Sequence, residues 1–232
     1  MSSITLTQAI ARVRSRADMV NSTFIDDTTE VAPWLNEAFA ELHDLVVSVY
    51  EDQFTVVSSN IVVSSGSTIS LGAETAWCPA TAPFYKLRGV DYLASGTADW
   101  HRLRLFSFND RNSRTTGYSW RRARDLRYRI VGSSIHLTPD DAATGTYRIW
   151  YIPGFVDLAN GSDTVSYPEN WHEYAIVSAA AKALLKEESD ARWLIDAKNA
   201  LRARILAGAA NRDVGSRMRI EDVSSRYDDY ED

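Results

Sequence analysis

Nine arginines (Arg102, Arg104, Arg111, Arg114, Arg121, Arg122, Arg124, Arg127 and Arg129) crowd into one segment against only Asp110 and Asp125, a local balance of +7 in a chain of net charge −6. Guanidinium groups pair with phosphate or carboxylate through planar, bidentate hydrogen bonds. Tyr118, Trp120 and Tyr128 interleave with them. Three chemistries fit. The segment can be a protein interface that meets an acidic surface, for which the acidic C-terminal tail of a neighbouring copy is one candidate. It can be a solvated sheet edge, charged against aggregation. It can be a nucleic-acid surface, with arginine on phosphates and aromatic rings on bases. The acidic whole ranks the interface first and nucleic acid last. Arg111, Arg114, Trp120, Arg121, Arg122 and Arg124 are the residues expected at a subunit or tail-component interface.

The other reactive residue types form no constellation. His43, His101, His136 and His172 show no metal spacing, and His172-Glu173 lacks a second histidine four residues on. They read as surface or interface histidines. No G-x-S-x-G elbow or glycine-rich phosphate loop is present, and Gly66 and Gly72 fit turns. Asp26-Asp27 and Asp140-Asp141 read as caps and turns rather than as acid–base pairs. Cys78 is the single cysteine, so an internal disulfide and a cysteine metal cluster are both excluded. The expectation is no enzyme, no metal and no cofactor. No run approaches the ~18 apolar residues of a membrane span. The opening MSSITLTQ shows no signal-peptide pattern, so the reading is a protein made in a reducing cytoplasm, with no membrane partner.

The elements that would carry these residues follow from periodicity. Leu6, Ile10 and Val13 share a face of a helix over 6–17. Asp27 with Glu30 has the form of a capping box. It opens a second helix to about Tyr50, which either kinks or starts at Pro33. Leu35, Phe39, Leu42, Leu45 and Val46 make its buried stripe. From Phe54 the pattern turns β-branched and alternating, as in a sheet with one wet face. Asn160-Gly161 signals a turn. Pro168 and Glu169 open a further helix, whose apolar face holds Trp171, Tyr174, Ile176, Val177, Ala180, Ala181, Leu184 and Leu185. Alanines at 179, 180, 181 and 183 allow close approach of another helix. Ser189 or Asp190 then caps a last helix bearing Leu194, Ala197, Leu201 and Ile205. After residue 211 periodicity ends, and Glu221–Asp232 holds six carboxylates against one arginine. Such a tail has too little apolar surface to fold alone.

The expected fold is therefore α+β: a helical bundle made of N- and C-terminal helix pairs, with an inserted antiparallel β-domain and an extended C-terminal tail. The expected divisions are 1–53 and 159–211 for the bundle, 54–158 for the β-domain and 212–232 for the tail.

Pro168, Trp171 and Tyr174, the Lys186–Asp190 turn, the helix end at 209–213 and Ile220 to Val223 together resemble the head-to-tail adaptors of tailed bacteriophages, in the tail-tubular-protein-A-like group. Trp34 to Glu37 leading into Glu41–Leu45 carries the resemblance at the N-terminal end. The resemblance covers both helical ends, about half of the chain, and its motifs concern packing rather than catalysis. It implies a ring, typically of twelve copies, below the portal protein. The ring links capsid to tail and surrounds a channel through which DNA passes without sequence-specific binding. It implies a tail that reaches the portal, here through Arg217, Met218, Ile220, Val223, Tyr227 and Tyr230, and a β-domain that meets a further tail or nozzle protein. The implied place is the neck of the virion. Two other readings compete: a nucleic-acid-binding module built on 102–129, and a hydrolase or carbohydrate-binding tail component built on exposed aromatics of the β-domain.

Overall fold

The computed structural model describes residues 2–72, 77–93, 98–110, 126–140 and 143–212. Four helices build the bundle: α1 (Leu6–Arg16), α2 (Ala32–Val49), α3 (Glu173–Lys186) and α4 (Arg192–Ala210). Their apolar stripes meet in one core. Leu35, Phe39, Leu42 and Val46 of α2 are buried against Tyr174, Val177 and Ala180 of α3 and Leu194, Ile205 and Ala209 of α4. The buried alanines at 175, 179, 180, 181 and 183 let the neighbouring helices approach α3 closely.

Helix starts depend on local hydrogen bonding. Thr5 and Gln8 form a reciprocal capping box on α1, with both bonds at 3.2 Å. The box expected at Asp27 sits one residue earlier. Asp26 Oδ1 accepts from the backbone of Thr28 and Thr29, and Glu30 reaches back to the Asp26 N–H. Those hydrogen bonds, from Thr29 first, hold the Asp26 carboxyl below its ordinary pKa. Asp27–Val31 then forms a single wide π-helical turn before α2 begins, with Pro33 in its first turn. Pro168 opens only a short 3₁₀ turn, Pro168–Asn170, and α3 starts at Glu173. Asn170 at positive φ separates the two.

The chain enters through β1 (Ser2–Thr5), which pairs antiparallel with β11 (Thr164–Tyr167) beside the bundle. Four residues with no glycine or proline punctuation carry too little pattern for β1 to be legible in the sequence. The turn at Gly161 holds the start of α1, since its carbonyl accepts from Thr7 N and Thr7 Oγ1. A Cβ there would come within 2.5 Å of Thr7 Oγ1, so the close approach requires glycine. Asn36 of α2 both donates to the Leu158 carbonyl (3.2 Å) and accepts from its N–H (3.0 Å), which pins the chain as it returns from the β-domain.

The β-domain is a sandwich of two sheets. In one, β10 (Gly145–Pro153) pairs β5 (Phe84–Leu93) on one side, and β2 (Val56–Val57) and β3 (Ile61–Val63) on the other. β6 (Trp100–Arg102) closes the far side of β5. The second sheet runs β4 (Thr68–Ser70), β9 (Ser134–Thr138), β8 (Arg127–Val131), β7 (Arg104–Leu105). Pairing is antiparallel except for β7 with β8, which are parallel. Alternation sends Tyr147, Ile149 and Tyr151 of β10 and Ile135 and Leu137 of β9 into one shared core. The sandwich stands at the C-terminal end of α2. His43 contacts Tyr85 edge-on (5.7 Å) and Phe54 (4.6 Å), and Glu51 pairs with Lys86 and Arg88.

Candidate interaction surfaces

Buried histidines are the first departure from expectation. His43 and His172 are 5% and 2% exposed, not surface residues. The 3.6-residue pattern put His43 beside Leu42 and Val46, and that signal was available. Arg12 Nη1 lies 3.0 Å from His172 Nε2. The guanidinium donates, so the imidazole is neutral there and carries its proton on Nδ1, facing Ser2 Oγ at 3.5 Å. Burial, and then the Arg12 charge, push the His172 pKa down. Burial also lowers His43, with Asp44 opposing in part. His43 Nδ1 has one carboxylate nearby, Asp44 Oδ1 at 3.9 Å, and among the described residues no three His, Cys, Asp or Glu side chains converge.

A depressed histidine pKa makes stability depend on pH. The unfolded rings titrate near ~6.5. Their contribution is complete above that value and is lost as pH falls below it, by at most ~1.4 kcal/mol per pH unit for each ring. Urea midpoints should therefore fall between pH 7.5 and 5.5. His172→Gln, which keeps an acceptor for Arg12 but cannot titrate, should flatten that fall. An unchanged slope would remove His172 as its source.

On the bundle surface, lysines tie the helices together. Lys182 meets Glu37 and Lys186 meets Glu30. Glu41 accepts from Lys198 (2.8 Å) and from the buried Tyr174 hydroxyl (2.6 Å). Burial pushes Glu41 up, yet those two hydrogen bonds outweigh it and leave its pKa below the ordinary value. Exposed pairs of this kind contribute little each. Their value here is orientation of α3 and α4 on α2.

Large apolar side chains remain uncovered at the bundle end away from the sandwich. Val20, Phe24, Leu185 and Trp193 are each more than half exposed, and Ile195 is 41% exposed. Leu185 was expected in the buried face of its helix; it lies in the last turn of α3, beside the segment that leads into α2, where Lys186 meets Glu30, and is 57% exposed. Lys186 covers the Phe24 ring at 5.2 Å. Of nineteen residues in α4, only Leu194, Ile205 and Ala209 are buried. Its outer side presents Trp193, Ala200, Ala203 and Ala207.

The sandwich exposes a second surface. On the outer face of the larger sheet, Asp91 Oδ2 accepts from Arg148 Nε (2.9 Å) and Trp150 Nε1 (2.8 Å). The Arg148 guanidinium lies 4.3 Å from the Trp100 ring and 5.6 Å from that of Trp150. Trp150 sits opposite Gly89, where the sheet is bare. Trp and Arg held rigidly in this way are typical of interface hot spots. Trp150 faces out because β10 alternates, a pattern legible in TYRIWYIP.

The residues singled out from sequence fall elsewhere. Arg111, Arg114, Trp120, Arg121, Arg122 and Arg124, and the tail residues Arg217, Met218, Ile220, Val223, Tyr227 and Tyr230, lie outside the described residues. The flanks of the arginine segment are described. Arg104 pairs in register with Arg127, and Arg127 and Arg129 point to the same outer face of the smaller sheet. The aromatic patch at 100 and 150 and the apolar bundle end were not singled out from sequence. Their exposure depends on which neighbour covers each face.

No curated protein matches the chain. A family model does, that of the SU10 adaptor protein, over residues 4–221. The match runs through both helix pairs and the sandwich between them. The chain belongs to the SU10 adaptor protein family, a family of phage adaptors.

Proposed function

We propose that this phage adaptor forms a ring below the portal, links capsid to tail, lines the channel that DNA traverses and catalyses no reaction. The observation that carries the ring is α4, a nineteen-residue helix with three buried residues and with Trp193 and Ile195 facing outward. A helix so bare gains by packing on a neighbour, and its outer alanines permit close approach. Ring formation also needs a second, different surface on each copy, and the exposed Trp100–Arg148–Trp150 face is available for it. The tail, through Arg217 to Tyr230, connects to the portal. The β-domain meets the next tail component, with Arg111–Arg124 at that contact.

The test is the mass of the protein alone and with its portal, by light scattering, with electron microscopy of the mixture. Rings on the portal are expected, even where the free protein is monomeric, because a template raises weak contacts to saturation. A monomer in both conditions overturns the reading. Trp193→Asp with Ile195→Asp should prevent ring closure while leaving the melting temperature in place, since both side chains already face water.

A further inference from the structure

We propose that the outer face of the β4–β9–β8–β7 sheet holds the chain's own acidic C-terminal segment, residues 222–232, until the portal takes it; this rests on the tail being the portal connector. The four strands contain three arginines, one histidine and no carboxylate. Arg104 stands opposite Arg127. Like charges directly opposite one another are unfavourable in a sheet, and an anion laid across them removes that penalty. Arg14, Arg16, Arg88 and Arg148 each hold a carboxylate. Arg104 and Arg127 hold none among the described residues.

The tail has the matching chemistry. Its last twelve residues carry six carboxylates, one arginine, and Tyr227 and Tyr230. Val131, 37% exposed on the same face as Arg127 and Arg129, offers apolar ground for one of the rings. The family match ends at residue 221, so the acidic run lies beyond what it covers.

Reach decides which copy supplies the segment. Arg212, the last described residue, lies over Tyr50 at 5.9 Å, at the foot of the sandwich. Tyr85 of β5 also stands there, against His43. Along β5, Val90 is about 17 Å further at ~3.3 Å per residue. Its carbonyl accepts from Leu103, the residue before Arg104. Residues 213–221 span up to ~30 Å when extended, which brings residue 222 level with Arg104. A tether of this length holds the segment at an effective concentration of order millimolar. A neighbour's tail in dilute solution cannot match that.

The experiment places a fluorophore at Ser225→Cys, with Cys78 protected by burial, and reads anisotropy in the full chain. High anisotropy is expected at low salt, independent of protein concentration, falling at 0.3 M salt on the scale set by a Debye length of ~6 Å. Arg104→Glu with Arg127→Glu should release the label and speed portal association several-fold. Arg129 is spared because it also donates to the Phe106 carbonyl. Added portal should release the label in the parent protein. If the double variant unfolds, Arg104→Gln with Arg127→Gln takes its place. Equal mobility in parent and variant overturns the proposal. So does anisotropy that rises with protein concentration, which assigns the face to a neighbour's tail. Duplex DNA binding by the tail-deleted chain that the double variant loses also overturns it, in favour of a nucleic-acid site. A parent chain that never docks to its portal overturns the adaptor reading itself, whatever the label shows.

Discussion

Replacing Phe39 with alanine should cost about 3–5 kcal/mol of stability, the range for removing a fully buried aromatic ring. Phe39 has no exposed surface and stands where three parts of the chain meet. Its ring contacts Phe155 at 6.1 Å and stacks on Tyr167 at 6.3 Å, and its carbonyl accepts from the Tyr167 hydroxyl. Those partners belong to the segment returning from the sandwich and to β11. The void would therefore sit at the seam of α2, the return strand and the bundle core, where rigid neighbours on three sides limit collapse. A chain of this size is stabilised by only ~5–15 kcal/mol, so the loss should be visible as a large drop in urea midpoint. Leu185→Ala, on the same bundle but exposed, should fall within about 0.5 kcal/mol of the parent. Similar costs for the two substitutions would contradict the placement of the core.

Removing residues 214–232 should leave thermal melting at 0.3 M salt unchanged and abolish docking to the portal. The helices are complete by Ala210, and the bundle core draws on nothing beyond Ala209. The truncation therefore removes no buried side chain that the described fold uses. Portal affinity should fall by nearly 1,000-fold, because two hot-spot anchors among Ile220, Val223, Tyr227 and Tyr230, at ~2 kcal/mol each, already amount to that. Surface-immobilised portal and soluble adaptor give the measurement directly. Unchanged binding by the truncated chain would show that the connector lies elsewhere, and the apolar bundle end with Phe24 and Trp193 would be the next surface to alter.

Periodicity alone determined the class of this molecule. Leu35, Phe39, Leu42 and Val46, and Tyr174, Val177 and Ala180, recur at helical spacing because each helix buries one stripe. Tyr147, Ile149 and Tyr151 alternate because a strand of a sandwich buries one face. Those regularities need only the nearest layer of neighbours, so they are written locally. The Thr5–Gln8 capping box was equally local and went unread, while the box at 27–30 was placed one residue late, because adjacent Asp26 and Asp27 are both acceptable caps and only the backbone path selects one. Tertiary structure alone decided the rest. Whether His43 and His172 are buried, whether β1 finds β11 across more than 150 residues, and whether Leu185, Trp150 and Trp193 face solvent all depend on which distant segment arrives to cover them. The parallel pairing that sets Arg104 against Arg127 is of the same kind. Burial is a property of pairs of surfaces, and a sequence states only one member of each pair.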